Sequence, residues 1–261
     1  MEARLSASGR ASIMRRSSAL VLPARRLCQA RPALRPVTPV LSIACALKDR
    51  RSVRGFLPNP VPDDVVEELL GLARRAPSGA NLQPGSFIGL RGESRRQLSD
   101  ELVQAFREGR QEPEDYSYFP DPLPMGLRRR QVASAQALYG ALGVARDDRA
   151  GRDQQFERNF RFFDAPVALI VTIDRRFGPG GYMDLGMSLY GLMLAAQARG
   201  LATCAIGAVA SYPGLIRRVL CLPQDSAIVC GLAIGHADPD AAVNRTLTER
   251  AELSDYFRWA E

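Results

Sequence analysis

Histidine and lysine are almost absent from this chain of 261 residues, which has one of each, His236 and Lys48. A single histidine cannot build a multi-histidine metal site, and a Ser-His-Asp or Cys-His nucleophile would depend on it alone. His236 stands in Gly235-His236-Ala237-Asp238-Pro239, directly after an apolar run, where a strand-end turn accounts for it. The five cysteines (Cys28, Cys45, Cys204, Cys221 and Cys230) form no Cys-x-x-Cys pair. Their odd number also disfavours a disulfide framework, and nothing suggests a cysteine-built zinc site. No run approaches the ~18 apolar residues that cross a bilayer. The longest candidates, 165–173 and 228–234, read as buried strands, so no membrane partner is expected.

Acids are missing too, but only locally. Residues 1–46 hold eight arginines (Arg4, Arg10, Arg15, Arg16, Arg25, Arg26, Arg31, Arg35) and one acid, Glu2. The whole chain has 35 Lys+Arg against 28 Asp+Glu, so 47–261 carries 27 of each and is formally neutral. A nucleic-acid-binding domain carries its excess charge on the folded surface. Here the excess lies in a separable head, and the pI near 9.5 does not point to a nucleic-acid partner. The head, rich in Arg, Ala, Ser and Pro, reads as an organelle-targeting segment or as a disordered extension, with Met14 as a later start. A secretory signal does not fit, because the short apolar stretch 19–24 is broken by Pro23. Without organelle targeting, a cytoplasmic protein is expected.

From residue 47 the pattern becomes regular and reads as one domain to residue 261. A helix is predicted over 63–75, with Asp64 and Glu67 placed for a capping box and Val65, Val66, Leu69, Leu70 and Ala73 as its apolar face. It stops before Pro77. A strand over 86–91 and a helix over 93–107 follow. Residues 109–126 carry Pro113, Pro120, Pro122 and Pro124 with Tyr116, Tyr118 and Phe119, a proline-pinned aromatic loop suited to a lid. Helical spacing resumes over 127–142, a buried strand occupies 166–174, and 183–199 is an unusually apolar helix ending at Gly200. It belongs in a core or a subunit interface. A short strand or turn at 203–208, a helix over 213–220 and a strand over 226–235 complete a layered α+β or α/β arrangement.

Two segments carry chemistry. Arg50-Arg51-Ser52-Val53-Arg54 gathers three guanidiniums and a hydroxyl, enough to surround a phosphate of charge about −2. If helical, it sets Arg50 and Arg54 on one face. With 34 arginines in the chain, such a run alone is weak evidence. Ala76-Pro77-Ser78-Gly79-Ala80-Asn81-Leu82-Gln83-Pro84 is a helix-terminating turn, or a rigid loop offering amides to a planar polar ring.

Together, Arg-x-Ser-x-Arg followed about 25 residues later by Ala-Pro-Ser-x-x-Asn-x-Gln-Pro resembles the FMN-dependent nitroreductase family. Asp164-Ala165-Pro166, Leu194-Ala195-Ala196, Gly200-Leu201, Ile206-Gly207, Val243-Asn244 and Arg250 fit in order. The likeness covers 45–258. It is strongest to the nitrobenzoate-reductase-type branch, with iodotyrosine deiodinase a more distant relative.

The resemblance implies an α+β fold, a nitroreductase-like central sheet flanked by helices, and an intertwined homodimer with FMN at the interface. Arg50, Arg51 and Ser52 match the family's phosphate and ribityl contacts, and Arg54 the basic group beside the flavin pyrimidine edge. Pro77, Ser78, Gly79 and Asn81 match the loop that reaches the partner's FMN. Ala205, Ile206 and Gly207 match backbone beside the reactive ring nitrogen, and Arg250 a late phosphate contact. NADPH or NADH would be the reductant, and a small nitroaromatic or quinone the acceptor. No side chain needs a covalent or acid–base role, because the flavin carries the hydride, and no metal is implied. Two positions depart from the pattern. Gly85 replaces an aromatic after Gln-Pro, which would widen the pocket, and Thr248 replaces a second basic residue.

Overall fold

A strand that is apolar at every position has to be covered on both faces, whereas one with alternating polarity needs cover on one. The two most apolar runs of the chain therefore set the middle of the fold. In the computed structural model, which describes residues 42–260, they are β2 (Val167–Asp174) and β4 (Ser226–Gly235), paired antiparallel. Outside them lie β1 (Ser86–Arg91), beside β2, and β3 (Ala202–Ile206), beside β4. All pairings in the sheet β1-β2-β4-β3 are antiparallel.

Side chains of β2 alternate between two cores. Ala168 and Ile170 face Leu98 and Leu102 of α3 (Gly92–Arg107) and Leu215 and Ile216 of α7 (Pro213–Val219). Val167 and Leu169 face Leu69 of α2 (Asp63–Ala73) and Leu192 and Ala196 of α6 (Pro179–Ala198). Each fully buried Leu or Ile here contributes about 1.5–3 kcal/mol of transfer free energy. Helices on both faces of a wholly antiparallel sheet make this an α+β fold, and the parallel alternative falls away. The remaining helices are α1 (Ile43–Asp49), α4 (Met125–Leu142), α5 (Arg149–Glu157) and the single turn α8 (Leu253–Tyr256). None of the described helices is long and apolar enough to cross a membrane.

Three local readings change. The capping box at 64 and 67 does not form, because Pro62 takes the cap position and Asp64 already lies in the first turn. There its Oδ1 accepts the Val65 N–H at 3.0 Å. The helix read as 183–199 starts at Pro179, a residue favoured at a first helical position, and closes at Gly200 with φ +71°. The boundary at residue 46 falls inside α1. Ser42 caps that helix by accepting the Cys45 N–H at 3.2 Å, and Ala46 is buried, so residues 42–46 belong to the fold. The rest of the proposed disordered head, residues 1–41, lies outside the described residues.

Candidate functional site

α1 ends where the basic motif begins. Arg50 is its C-cap, and the chain then leaves the helix and runs extended along the open edge of β3. Ser52 bridges Thr203 in parallel sense, and the Val53 N–H donates to the Thr203 carbonyl at 3.1 Å. Arg50 and Arg54 therefore share a side through the two-residue repeat of extended chain, not through a helical turn. Free sheet-edge groups that would otherwise face solvent are taken up by this segment.

Arg50, Arg51, Ser52, Arg54 and Arg250 line one cavity of about 940 Å³. Its other walls come from α4 (Gln131, Ser134, Leu138, Tyr139), from Tyr190 of α6 and from Thr246–Thr248. Lys48, the only lysine of the chain, also lines it, so five basic groups face one acid, Asp49. The Nε of Arg50 is buried there without a hydrogen-bond partner among the described residues. A buried orphan donor is costly unless a ligand supplies the acceptor. Arg250 donates from Nη1 to the Thr248 hydroxyl at 2.9 Å and the Thr248 carbonyl at 3.1 Å. Thr248 thus steers the late arginine instead of adding a second charge.

Asn244 was read in the sequence only as a motif match. In the fold its Oδ1 accepts the N–H groups of Arg54 (2.9 Å) and Gly55 (3.1 Å). Its Nδ2 donates to the carbonyls of Gly55 (2.8 Å) and Asp238 (2.9 Å). A partner 190 positions away leaves no periodic trace in a sequence.

The second motif lies elsewhere on the chain. Pro77 and Ser78 line a separate cavity of about 350 Å³ with Arg74, Gln83, Phe87, Asp184 and Ser188. Gly79 and Asn81 sit in a tight turn with Ala80, Asn81 and Gln83 all at positive φ. Hydrogen bonds hold this unusual backbone: Gly79 N–H to Asp184 Oδ2 at 2.9 Å, and Gln83 N–H to Ser78 Oγ at 2.9 Å. Gly85 has φ +96°, and a Cβ there would come within 2.5 Å of Leu185. Gly85 itself lines this cavity, and Leu185 stands where a Cβ at this position would lie.

Ala205 and Gly207 are exposed at the end of β3, while the Ile206 side chain is buried in the core and can offer only its backbone. Cys204, one residue earlier, is buried beside Arg54 and Ser52. Burial pushes its thiol pKa up, with Arg54 opposing, so it behaves as a small core residue and not as a nucleophile.

The aromatic loop is fastened along half its length. Glu112 Oε2 accepts the N–H groups of Gly214 (2.6 Å) and Leu215 (3.2 Å) at the start of α7. Asp115 is buried, accepting from Arg217 Nη1 at 2.6 Å and from the Ile228 N–H at 2.8 Å, and it pairs with Arg175 as well. The Tyr116 hydroxyl donates to the Val229 carbonyl at 2.7 Å, and burial raises its pKa well above the usual phenol range. Beyond this anchor, Tyr118 and Phe119 are exposed, and the Tyr118 ring lies against Gly207. The expected lid is a strap tied down as far as Tyr116, with an aromatic tip over the end of β3.

Among the described residues no cluster of His, Cys, Asp or Glu could hold a metal. What the arrangement defines is an α+β protein with a strongly basic cavity on one sheet edge. The family model described as "Nitroreductase family" matches residues 47–236. A chloronitrobenzene nitroreductase of Comamonas testosteroni is 41% identical over 212 residues, 80% of this chain and 93% of the relative. Among solved structures, the FMN and NADPH-dependent nitroreductase NfnB of Sphingopyxis sp. strain HMH shares 39% identity with a TM-score of 0.82, covering 85% of this chain and 100% of that one. NfnB of Mycobacterium smegmatis, solved in complex with NADPH, shares 31% identity with a TM-score of 0.79 over 83% and 96%. The chain belongs to the nitroreductase family.

Proposed function

We propose that the protein is an FMN-dependent oxidoreductase that takes hydride from NADPH or NADH and reduces nitroaromatic or quinone-like acceptors, the two reactants using one site in turn. The observation that carries this reading is the cavity where Arg50, Arg51, Ser52, Arg54 and Arg250 converge, with a buried Arg50 Nε that has no partner among the described residues. That donor set suits the FMN phosphate, whose charge is about −2. Each charge-assisted bond to it stabilises the complex by about 1.5–3 kcal/mol. When bound, FMN supplies the hydride-accepting and hydride-donating chemistry.

The chain's own residues bind and orient. Arg50, Arg51 and Arg250 hold the phosphate, Ser52 the adjoining polyol, and Arg54 the charge that reduction places on the pyrimidine edge. Ala205 and Gly207 are small and exposed, so backbone there can approach the ring plane closely. The turn at 77–81 serves the site of a second subunit in a homodimer. Apolar side chains left in solvent support that assembly: Met183 is 64% exposed on α6, and Tyr256 and Trp259 near the C-terminus are 86% and 83% exposed. A cytoplasmic location goes with this reading.

The test is spectroscopic. Purified protein should show oxidised-flavin absorption that NADPH or NADH bleaches without oxygen and that a nitroaromatic restores. Arg50→Ala combined with Arg54→Ala should abolish flavin retention. Colourless protein, or a double variant that keeps its flavin, refutes the assignment.

A further inference from the structure

We propose that Asn244 is a positioning residue that keeps the two basic arms of the FMN cradle in register. The inference rests on the flavin reading above. One arm is Arg50–Arg54 near the start of the fold. The other is Thr248–Arg250, some two hundred residues on. Asn244 lies just before the second arm, in the turn Ala242–Arg245, and its side chain bonds the backbone of the first.

A side-chain amide has two acceptor positions and two donor hydrogens. All four are used here, by two N–H groups and two carbonyls at 2.8–3.1 Å. Aspartate could accept the same two N–H bonds but could donate to neither carbonyl. Gly55 makes the contact possible, because a Cβ there would lie 2.5 Å from the Ala241 Cβ and 3.2 Å from Asn244 Nδ2. Two segments remote in sequence therefore touch backbone to side chain, with no room for a looser arrangement.

Asn244 does not line the cavity, so it acts through its neighbours. Among the described residues the Arg54 guanidinium is held by the Ser52 carbonyl alone, at 3.3 Å, and it lies 6.0 Å from the Phe163 ring. Where it points is set mainly by where its backbone is fixed, and Asn244 fixes it. Among the described residues Arg250 bonds to Thr248 and Glu249 alone, so its reach depends on how the chain leaves the turn that Asn244 anchors.

The experiment uses the full chain, stripped of flavin and titrated with FMN by fluorescence quenching. Asn244→Asp and Asn244→Ala are compared with the native protein, each also combined with Arg54→Ala and with Arg250→Ala. The apoprotein melting midpoint is recorded for each. Asn244→Asp should raise the FMN Kd by about tenfold, the equivalent of one net hydrogen-bond set to a charged arm. In the backgrounds lacking Arg54 or Arg250 the loss should shrink to about twofold, since a truncated arm gains nothing from register. The same full loss in both backgrounds, or an unchanged Kd, overturns the proposal and makes Asn244 a general staple of the fold. Asn244→Asp keeps the shape and both accepted bonds, so it carries the test if Asn244→Ala does not accumulate. Native protein that binds no FMN instead sinks the flavin reading, an outcome separate from native binding with indifferent variants.

Discussion

Asp115→Ala should be among the most destabilising single substitutions in the described fold. The Asp115 side chain is 2% exposed and its partner Arg217 9% exposed, so water screens the pair poorly. Removing the carboxylate strands a buried guanidinium, which costs about 3–5 kcal/mol in such settings. The Ile228 N–H, bonded to Asp115 at 2.8 Å, loses its acceptor as well, a further penalty of about 1–3 kcal/mol. Arg217 retains the Ser226 carbonyl at 3.0 Å, which moderates the sum, and Arg175 is exposed enough to be solvated again. A loss of about 4 kcal/mol is expected, a large share of the roughly 5–15 kcal/mol that holds a native domain together. Urea titration should show a lower midpoint at unchanged slope. Asp115→Leu together with Arg217→Met should recover most of the loss, because the buried charges leave as a pair. A single-variant loss under about 1 kcal/mol would mean that water reaches the pair, and the picture of a fastened strap would fail.

Gly85→Ala should cost about 1–3 kcal/mol, since φ +96° strains any side chain and Leu185, itself 2% exposed, cannot swing away. Gly71→Ala, in the exposed part of α2 with open space around it, should instead gain about 0.5–1 kcal/mol. Equal effects in thermal melts would refute the glycine argument. Glu157 has its pKa held below the usual carboxylate value, first by the hydrogen bond from Arg107 and then by Arg161. A depressed folded-state pKa means that its contribution is present above the unfolded value, about 4.3, and fades as pH falls further. The stability difference between native protein and Glu157→Gln should therefore be visible at pH 7 and shrink steadily as the pH falls below the unfolded value. A difference that persists in acid would contradict it.

The parts of the fold legible in the sequence are those written in local periodicity. Strands 86–91 and 226–235 coincide with β1 and β4 because their apolar runs have sharp polar or glycine ends. α5 leaves no such trace, since Arg149–Glu157 is mostly charged and amide-bearing and offers no apolar stripe. The basic residues of the cavity could be singled out only through the family resemblance, and their conformation not even so, because the extended path of 50–54 is imposed by the β3 edge. Asn244 and Asp115 were out of reach for the same reason. Each bonds to groups more than a hundred residues away, and a lone polar residue in a loop gives no hint of its partner.

The separation of the two motifs within one chain is the point on which the site turns. Arg50, Arg51, Ser52, Arg54 and Arg250 line one cavity, and Pro77 and Ser78 line another, so a single subunit does not bring the two motifs together. The 77–83 turn is nevertheless built at a cost, with Ala80, Asn81 and Gln83 forced to positive φ and the backbone pinned by Ser78 and Asp184. Backbone strain of about 1–3 kcal/mol per residue persists where surrounding structure over-determines it, as at ligand clamps. In the proposed homodimer a two-fold axis would supply the purpose without any new element, by laying the same turn of one subunit against the cradle of the other, twice per dimer. The apolar faces left open on α6 and the C-terminal segment are the surface such an axis would bury.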